Sequence, residues 1–235
     1  MKDDQFVFVN GVRVDYFESK NDLLSIKDKK IYISIGGEAI YNANENMLNV
    51  ANGENAICYA DGELAVLALK KKGFRLAKKI PGCELWLEFL KVIGPRKTFI
   101  VGSKLDVIEL VSKKVKANFQ DELLYYRDGY LDENSIIDLE NTLIKLKPSL
   151  VILALGQPKQ EQLAQRLFDI HNADYLCVGG ALDVYSGVVN RAPKIMIYFK
   201  LEWLYRLVID PKRIKRQIGL FKVLWSINFN RSYIN

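Results

Sequence analysis

The feature that most constrains the fold of this chain is a regular alternation of strand and helix patterns between residues 98 and 180. Short apolar runs typical of buried strands alternate there with helical patterns, and the links between them are short. The strand patterns lie at 98–101, 123–126, 150–155 and 175–178, and the helical patterns at 105–117, 135–146 and 158–169. Such an alternation predicts an α/β fold, a parallel sheet wound by helices.

The first hundred residues extend this pattern. A strand pair is predicted at 6–14, around the turn dipeptide Asn10-Gly11. Further strands are predicted at 31–35 and 56–60, and helices at 44–52, 63–72 and 83–93. We place the body of the protein at residues 1–200 and a small helical C-terminal appendage at residues 201–235.

The basic charge of the chain is concentrated near its C-terminus. The formal net charge is +6 over 235 residues. Residues 206–235 contain seven Lys and Arg residues and one acid, so the rest of the chain carries no net charge. A basic surface confined to the appendage argues against nucleic acid as a partner, because nucleic acid would follow a broad basic surface.

The same segment has a helical apolar pattern. Ile214, Ile218, Phe221 and Trp225 follow one another at steps of 4, 3 and 4, with basic residues on other faces. This spacing predicts a basic amphipathic helix. Three partners suit such a helix: an anionic membrane surface, the body of the protein, or a sister subunit in a homo-oligomer.

Cysteine and histidine usage excludes several kinds of site. The three cysteines lack CxxC spacing, and His171 is the only histidine. A histidine-based zinc site and a serine triad are therefore not expected. No GxGxxG follows a strand, so a nicotinamide cofactor is not expected either. We also predict neither a signal peptide nor a membrane span, and therefore a cytoplasmic protein.

Two candidate groups stand where strands of the predicted sheet end. Asp61 directly follows the apolar strand at 56–60. A carboxylate at this edge suits a general base, although an aspartate before a helix can equally cap that helix. The stretch Gly156-Gln157-Pro158-Lys159-Gln160-Glu161 places Gln160 at a helix N-terminus, which suits an anion or a hydroxyl group. A plain strand-to-helix connection explains this stretch equally well.

Three arginines of the appendage suit a diphosphate. Arg206, Arg213 and Arg216 are spaced at 7 and 3 residues, so they share a face if the helix continues past Pro211. Each guanidinium offers a planar fork of donors to phosphate oxygens. No DxD-type metal motif is present, so we expect these arginines, rather than a metal ion, to neutralise a departing diphosphate.

Five motifs together resemble the WecG/TagA/CpsF glycosyltransferases, carbohydrate-active family 26. They are DG at 61–62, IPG at 80–82, LGQPKQE at 155–161, VGGALDVYSGVVNRAP at 178–193 and LEWLYRLVIDPKRIKR at 201–216. The resemblance implies a Rossmann-like body with a C-terminal appendage. It also implies transfer of a sugar from a UDP donor, with inversion and without a metal, to a polyprenyl-diphosphate-linked saccharide at the cytoplasmic membrane face.

The resemblance implies roles for particular residues. Asp61 matches the general base, and Asn44 the asparagine of a T-x-N motif near the sugar, whose threonine is replaced by Asn42. Gln160 matches a glutamine in the pocket. Lys79 stands where the family commonly has an arginine, and Arg191 belongs to the RAP motif. Arg206, Arg213 and Arg216 match arginines that close over the donor diphosphate.

The donor sugar and the activity itself leave alternatives open. The resemblance favours a sugar of the N-acetylmannosamine or N-acetylmannosaminuronate type, used for a surface polysaccharide or a teichoic acid-type polymer. A glucosyl or other hexosyl transferase of capsule or exopolysaccharide assembly is the alternative within the same fold. A non-catalytic basic protein that docks on membranes is the alternative of another class.

Overall fold

A computed structural model describes residues 5–199, 201–209 and 214–234 of the chain. Within these ranges, eight strands form one sheet. The strands are β1 (Phe6–Val9), β2 (Val12–Asp15), β3 (Ile31–Ile35), β4 (Ala56–Ala60), β5 (Thr98–Gly102), β6 (Tyr125–Arg127), β7 (Leu150–Ala154) and β8 (Asp174–Cys177). Their order across the sheet is β1-β2-β4-β3-β8-β7-β5-β6. The β1–β2 pair is antiparallel, and the other neighbouring pairs are parallel.

Helices follow most of the strands. In the described ranges they are α1 (Lys20–Leu24), α2 (Gly37–Tyr41), α3 (Glu45–Ala51), α4 (Glu63–Lys71), α5 (Gly82–Ile93), α6 (Leu105–Phe119), α7 (Glu133–Leu146), α8 (Lys159–Ile170), α9 (Ala181–Ser186), α10 (Lys194–Tyr198), α11 (Glu202–Ile209) and α12 (Ile214–Phe229). This arrangement confirms the α/β, Rossmann-like fold with a helical C-terminal part. None of the described helices combines the length and the apolar character needed to cross a membrane.

The sheet has an apolar core on each face. Because side chains alternate along a strand, Ile31, Ile33 and Ile35 lie on one face and Tyr32 lies on the other. The first core also contains side chains of α2, α3, α4, α7, α8 and α12, and the second those of α1, α5, α6 and α9. The four central strands, β4, β3, β8 and β7, are almost fully apolar because both of their faces are covered.

Several predicted boundaries differ from the structure by one or two residues, and two of these differences have local reasons. A strand was predicted at 123–126, but β6 spans Tyr125–Arg127. Leu123 and Leu124 pack against the two cores before the strand begins, so the apolar run starts earlier than the strand does. Pro158 was predicted as the first residue of a helix; it holds the cap position, with ψ near 2°, and α8 begins at Lys159.

The C-terminal helix α12 packs on the body through its second half. Val223 and Ile227 are buried in the first core, and Lys71 of α4 donates to the carbonyl of Ile227 at 3.2 Å. Ile234 pairs with Val9 of β1 through an isolated bridge. These contacts extend the core to residues 219–234, while the proposed division of the chain at residue 200 stays a prediction.

Candidate active site

Asp61 lies at the carboxyl end of β4, between the parallel neighbours β2 and β3. Its backbone N–H donates to the carbonyl of Ile35 at 3.0 Å, which extends the pairing with β3 by one residue. Its side chain is half-buried. The N-cap position of α4 belongs to Gly62, so Asp61 precedes the cap residue. The carboxylate therefore stands at the edge where parallel α/β sheets bind their ligands.

Glycines surround this carboxylate. A Cβ atom on Gly82, the first residue of α5, would lie 3.2 Å from Asp61 Oδ2 and 2.9 Å from the Tyr59 hydroxyl. A Cβ atom on Gly62 would lie 3.0 Å from the Cα atom of Gly36. The start of α5 can approach Asp61, and the loop after β3 can approach the next residue, Gly62, only because Gly82 and Gly62 lack side chains.

Tyr59 and Ser34 belong to the same cluster, and sequence reasoning missed both. Ser34 Cβ lies 3.7 Å from the same point beside Gly82, and Ser34 is the register partner of Tyr59 across β3 and β4. Burial raises the pKa of the Tyr59 hydroxyl, and the negative charge of Asp61 raises it further. The sequence spacing could have identified Tyr59: it precedes Asp61 by two residues, so both side chains point to the same face of β4.

The segments that carry Lys79 and Arg191 lie near the end of β4 and the start of α5. Ile80 donates to the carbonyl of Ala60 at 2.8 Å, which holds the Lys79 segment beside the end of β4. Arg191 donates to Glu84 in the first turn of α5 at 2.5 Å, two residues from Gly82. The structure thus brings the RAP segment to the helix terminus that borders Asp61.

Gln160 lies near the ends of β7 and β8, and it is 1% exposed. Its side-chain oxygen accepts hydrogen bonds from the backbone N–H groups of Gly156 and Gly179, and its amide group donates to Glu161. The neighbouring Gln157, which sequence reasoning also missed, is exposed and donates to the carbonyl of Ser34 at 3.1 Å. Gln157 therefore connects the loop after β7 to the Asp61 cluster.

The remaining predicted residues are not brought to this cluster by any contact on the described residues. Asn44 is the N-cap of α3, and its side-chain oxygen accepts from the N–H of Met47 at 3.0 Å. Helix α2 separates it in the chain from the end of β3. Arg213 and the side chains of Arg206 and Arg216 lie outside the described residues.

A second polar contact lies further along the same edge. Ser103, after β5, donates to Asp183 in the first turn of α9 at 2.8 Å. Ser103 has a φ of 58°, and its N–H donates to the carbonyl of Ala154. Asp183 is a further polar residue of the long glycine-rich motif that sequence reasoning did not single out.

The fold and this edge define a class of protein. It is a doubly wound α/β protein whose polar side chains and glycines gather at the carboxyl ends of adjacent parallel strands, where such folds bind ligands. In the described part of the chain, no group of three or more His, Cys, Asp or Glu side chains is arranged to hold a metal ion.

Residues 9–233 match the family described as the Glycosyl transferase WecG/TagA/CpsF family. The match covers nearly the whole chain, and the chain belongs to this family. The resemblance inferred from the five sequence motifs is thereby confirmed, and the protein is classed as a glycosyltransferase.

Proposed function

We propose that this protein is an inverting, metal-independent glycosyltransferase. It moves a sugar from a UDP donor to a polyprenyl-diphosphate-linked saccharide during the synthesis of a surface polysaccharide or a teichoic acid-type polymer. The observation that carries the proposal is the Asp61 cluster: a half-buried carboxylate at the carboxyl edge of the sheet, bordered by Gly82 and Gly62. Together with the family match, this cluster supports acid–base chemistry on a bound sugar.

Asp61 acts as the general base. Its carboxylate accepts the proton of the acceptor hydroxyl while that oxygen attacks the anomeric carbon of the donor sugar. The bond between this carbon and the diphosphate oxygen breaks in the same displacement, and UDP leaves with the electron pair. A single displacement inverts the configuration at the anomeric carbon.

Cationic side chains stabilise the departing diphosphate. Two contacts support a role for Lys79 and Arg191: Ile80, next to Lys79, donates to the carbonyl of Ala60, and Arg191 donates to Glu84 in the first turn of α5. We propose that Arg206, Arg213 and Arg216 of the appendage add to this charge when the donor is bound. Positive groups aimed at the position where negative charge develops lower the barrier electrostatically.

The appendage also supplies a membrane-binding surface in this proposal. On α12, Val223 and Ile227 face the body, whereas Phe221, Trp225 and Phe229 are exposed at steps of four residues. An exposed apolar stripe beside basic residues suits the inner face of the cytoplasmic membrane, where a polyprenyl-linked acceptor resides. The protein is then a peripheral membrane protein, brought to its acceptor by α12.

The proposed donor carries N-acetylmannosamine or a related uronate, and the alternative is another hexose. A panel of UDP-sugars, assayed with a lipid-diphosphate acceptor in vesicles, separates the two possibilities. Turnover with none of the donors, together with vesicle binding that ignores UDP, would favour the non-catalytic docking protein instead.

Substitution of Asp61 tests the mechanism. In Asp61→Asn we expect turnover to fall by about 100-fold or more while UDP binding is retained, because a general base acts on the transition state. Steady-state kinetics and calorimetric titration with UDP measure the two effects. Asp106→Asn, which changes an exposed acid in the first turn of α6, is the matched control. Full activity of a folded Asp61→Asn enzyme removes Asp61 from the mechanism.

A further inference from the structure

Two neighbouring polar side chains at the start of α8 are buried, although the proposed mechanism assigns them no chemistry. Gln160 is 1% exposed and Glu161 is fully buried. Burying such groups is costly unless hydrogen bonds replace the lost water. Their contacts therefore indicate what they do.

Gln160 ties together the loops that follow two adjacent strands. Its Oε1 atom accepts from the N–H of Gly156, after β7, at 3.2 Å and from the N–H of Gly179, after β8, at 3.0 Å. Its Nε2 atom donates to Glu161 Oε1 at 2.8 Å. The amide thus holds two strand ends on one side and a carboxyl group on the other.

Glu161 helps to set the direction in which this amide points. The two ends of a glutamine amide have nearly the same shape, so packing alone does not choose between them. With its oxygen toward the glycines, Gln160 accepts from two donors; a flipped amide would place its NH2 group against two N–H groups. The carboxyl oxygen of Glu161, which accepts from Nε2, adds to this preference and holds the amide in the first orientation.

One of the two glycine loops held in this way, the loop after β7, contacts the Asp61 cluster through Gln157. Gly156 and Gly179 have φ values of 80° and 52°, which glycine adopts at little cost. Gln157, next to Gly156, donates to the carbonyl of Ser34, and Ser34 lies beside Gly82 and Tyr59. This hydrogen bond connects the loop after β7 to β3 and to the residues around Asp61.

We propose that Glu161 is a positioning residue of the donor site: it holds the orientation of the Gln160 amide, which fixes the glycine loops after β7 and β8 at the edge of the sheet that carries Asp61. This inference rests on the proposed function for its effect on the donor, but the hydrogen bonds themselves do not depend on that function. Glu161 acts through Gln160 and touches neither substrate nor reacting atoms.

A neutral carboxyl group is sufficient for this role. Burial raises the pKa of Glu161, against the opposing hydrogen bonds from Gln160 and Gln157. The thiols of Cys58 on β4 and Cys177 on β8 face Glu161 from the sheet; burial raises their pKa values, and the charge of Glu161 raises them further. A glutamine in place of Glu161 keeps the accepting oxygen and is the conservative variant.

The experiment compares Glu161→Leu and Glu161→Gln. Hydrogen exchange of the Gly156 and Gly179 amides is followed by NMR on protein labelled with nitrogen-15 glycine, and UDP affinity by calorimetry. In Glu161→Leu we expect both amides to exchange about tenfold faster or more, since their acceptor is no longer held in place. We also expect UDP to bind about tenfold more weakly or worse, and Glu161→Gln to restore both properties.

Two further variants keep the test decisive. Asp174→Asn alters another buried acid, at the opposite end of β8. The carboxylate of Asp174 accepts a hydrogen bond there from the N–H of Lys30. This variant controls for a general loss of stability and is expected to change neither glycine exchange nor UDP affinity. Gln160→Leu removes the acceptor itself and is expected to reproduce Glu161→Leu, which covers the case in which Glu161→Leu does not fold.

Different results of these experiments would contradict the positioning role of Glu161 and the proposed function. If wild-type protein fails to bind UDP, the proposed function fails, and glycine exchange still tests the positioning role. If wild-type protein binds UDP but Glu161→Leu leaves affinity and both glycine amides unchanged, the positioning role is wrong. Equal effects of Asp174→Asn and Glu161→Leu would also overturn it.

Discussion

Gly82 shows how one missing side chain shapes the candidate site. The residue begins α5, a position that tolerates alanine in most helices. Here a Cβ atom would enter the space between the Tyr59 hydroxyl and Asp61 Oδ2. The small side chain is required by the neighbours of Gly82, and not by its own backbone.

We predict that Gly82→Ala impairs catalysis more than folding. The added methyl group forces Tyr59 or Asp61 to move, and overpacking of this kind costs about 1–3 kcal/mol of unfolding free energy. Thermal unfolding and turnover measure the two effects. Gly36→Ala is the control for folding, because a Cβ atom there meets nothing within 4 Å. Turnover near the wild-type level in Gly82→Ala would show that Asp61 does not need its present position.

Individual residues were predictable to different degrees. Asp61 was identifiable because it ends a fully apolar strand, where a charge is conspicuous. Ser34 and Gln157 were not, because each contributes through a contact distant in sequence: Gln157 donates to a carbonyl 123 residues away. Gln160 was assigned to the pocket, whereas its burial and its bonds to two glycine loops follow only from the tertiary structure.

At the scale of elements, α12 has two apolar faces with different environments. Gly219 packs so closely on α2 that a Cβ atom would lie 2.5 Å from the ring of Tyr41. On the outer face, Trp225 is 63% exposed. Of the predicted amphipathic stripe, Phe221 and Trp225 lie on this outer face, while the side chains of Ile214 and Ile218 lie outside the described residues. Gly219 marks the inner contact that the pattern did not reveal.

Substitutions on the two faces should have opposite effects. Gly219→Val forces α12 away from Tyr41, and we expect it to lower the unfolding free energy by about 1–3 kcal/mol. Trp225→Ala should leave stability unchanged and weaken binding to anionic vesicles about tenfold, because it removes an exposed aromatic ring from the proposed membrane surface. Chemical denaturation and vesicle sedimentation measure these effects; undiminished vesicle binding by Trp225→Ala would argue against that surface.

Elements with a continuous apolar run were predicted well from the sequence, and very short helices were missed. Strands β3, β4 and β7 were located within a residue because their apolar runs are continuous and their ends are marked by glycine or a charge. Helices α2 and α9 were missed, since five or six residues do not complete two turns and show no period. Helix α2 is held by its contacts with α4 and α12, which no local pattern encodes.

At the scale of the whole molecule, three buried acids influence how stability depends on pH. Burial raises the pKa of Asp15, Glu161 and Asp174 above the ordinary values of 3.8, 4.5 and 3.8. A raised pKa means that the folded state binds the proton more tightly than the unfolded chain does. The contribution of each group to stability is therefore complete below its ordinary pKa and is lost as pH rises through the folded pKa.

Glu161→Gln tests this sign. As pH rises from about 4 to 8, we expect the unfolding free energy of the variant to increase relative to wild type, because only wild type must ionise a buried carboxyl group. Urea denaturation across this range measures the difference. In Glu122→Gln the trend should be opposite and small, since Lys116 lowers the pKa of the exposed Glu122. A difference independent of pH for Glu161→Gln would contradict the raised pKa.

The bridge between Val9 and Ile234 has a consequence for how copies of this protein can meet. It covers part of β1, the outermost strand on one side of the sheet, and β6 on the other side is only three residues long. Long bare strand edges promote fibre-like growth from chain to chain, and short or covered ones resist it. The sheets of two copies are therefore kept from joining edge to edge, and a homo-oligomer would have to form through helices.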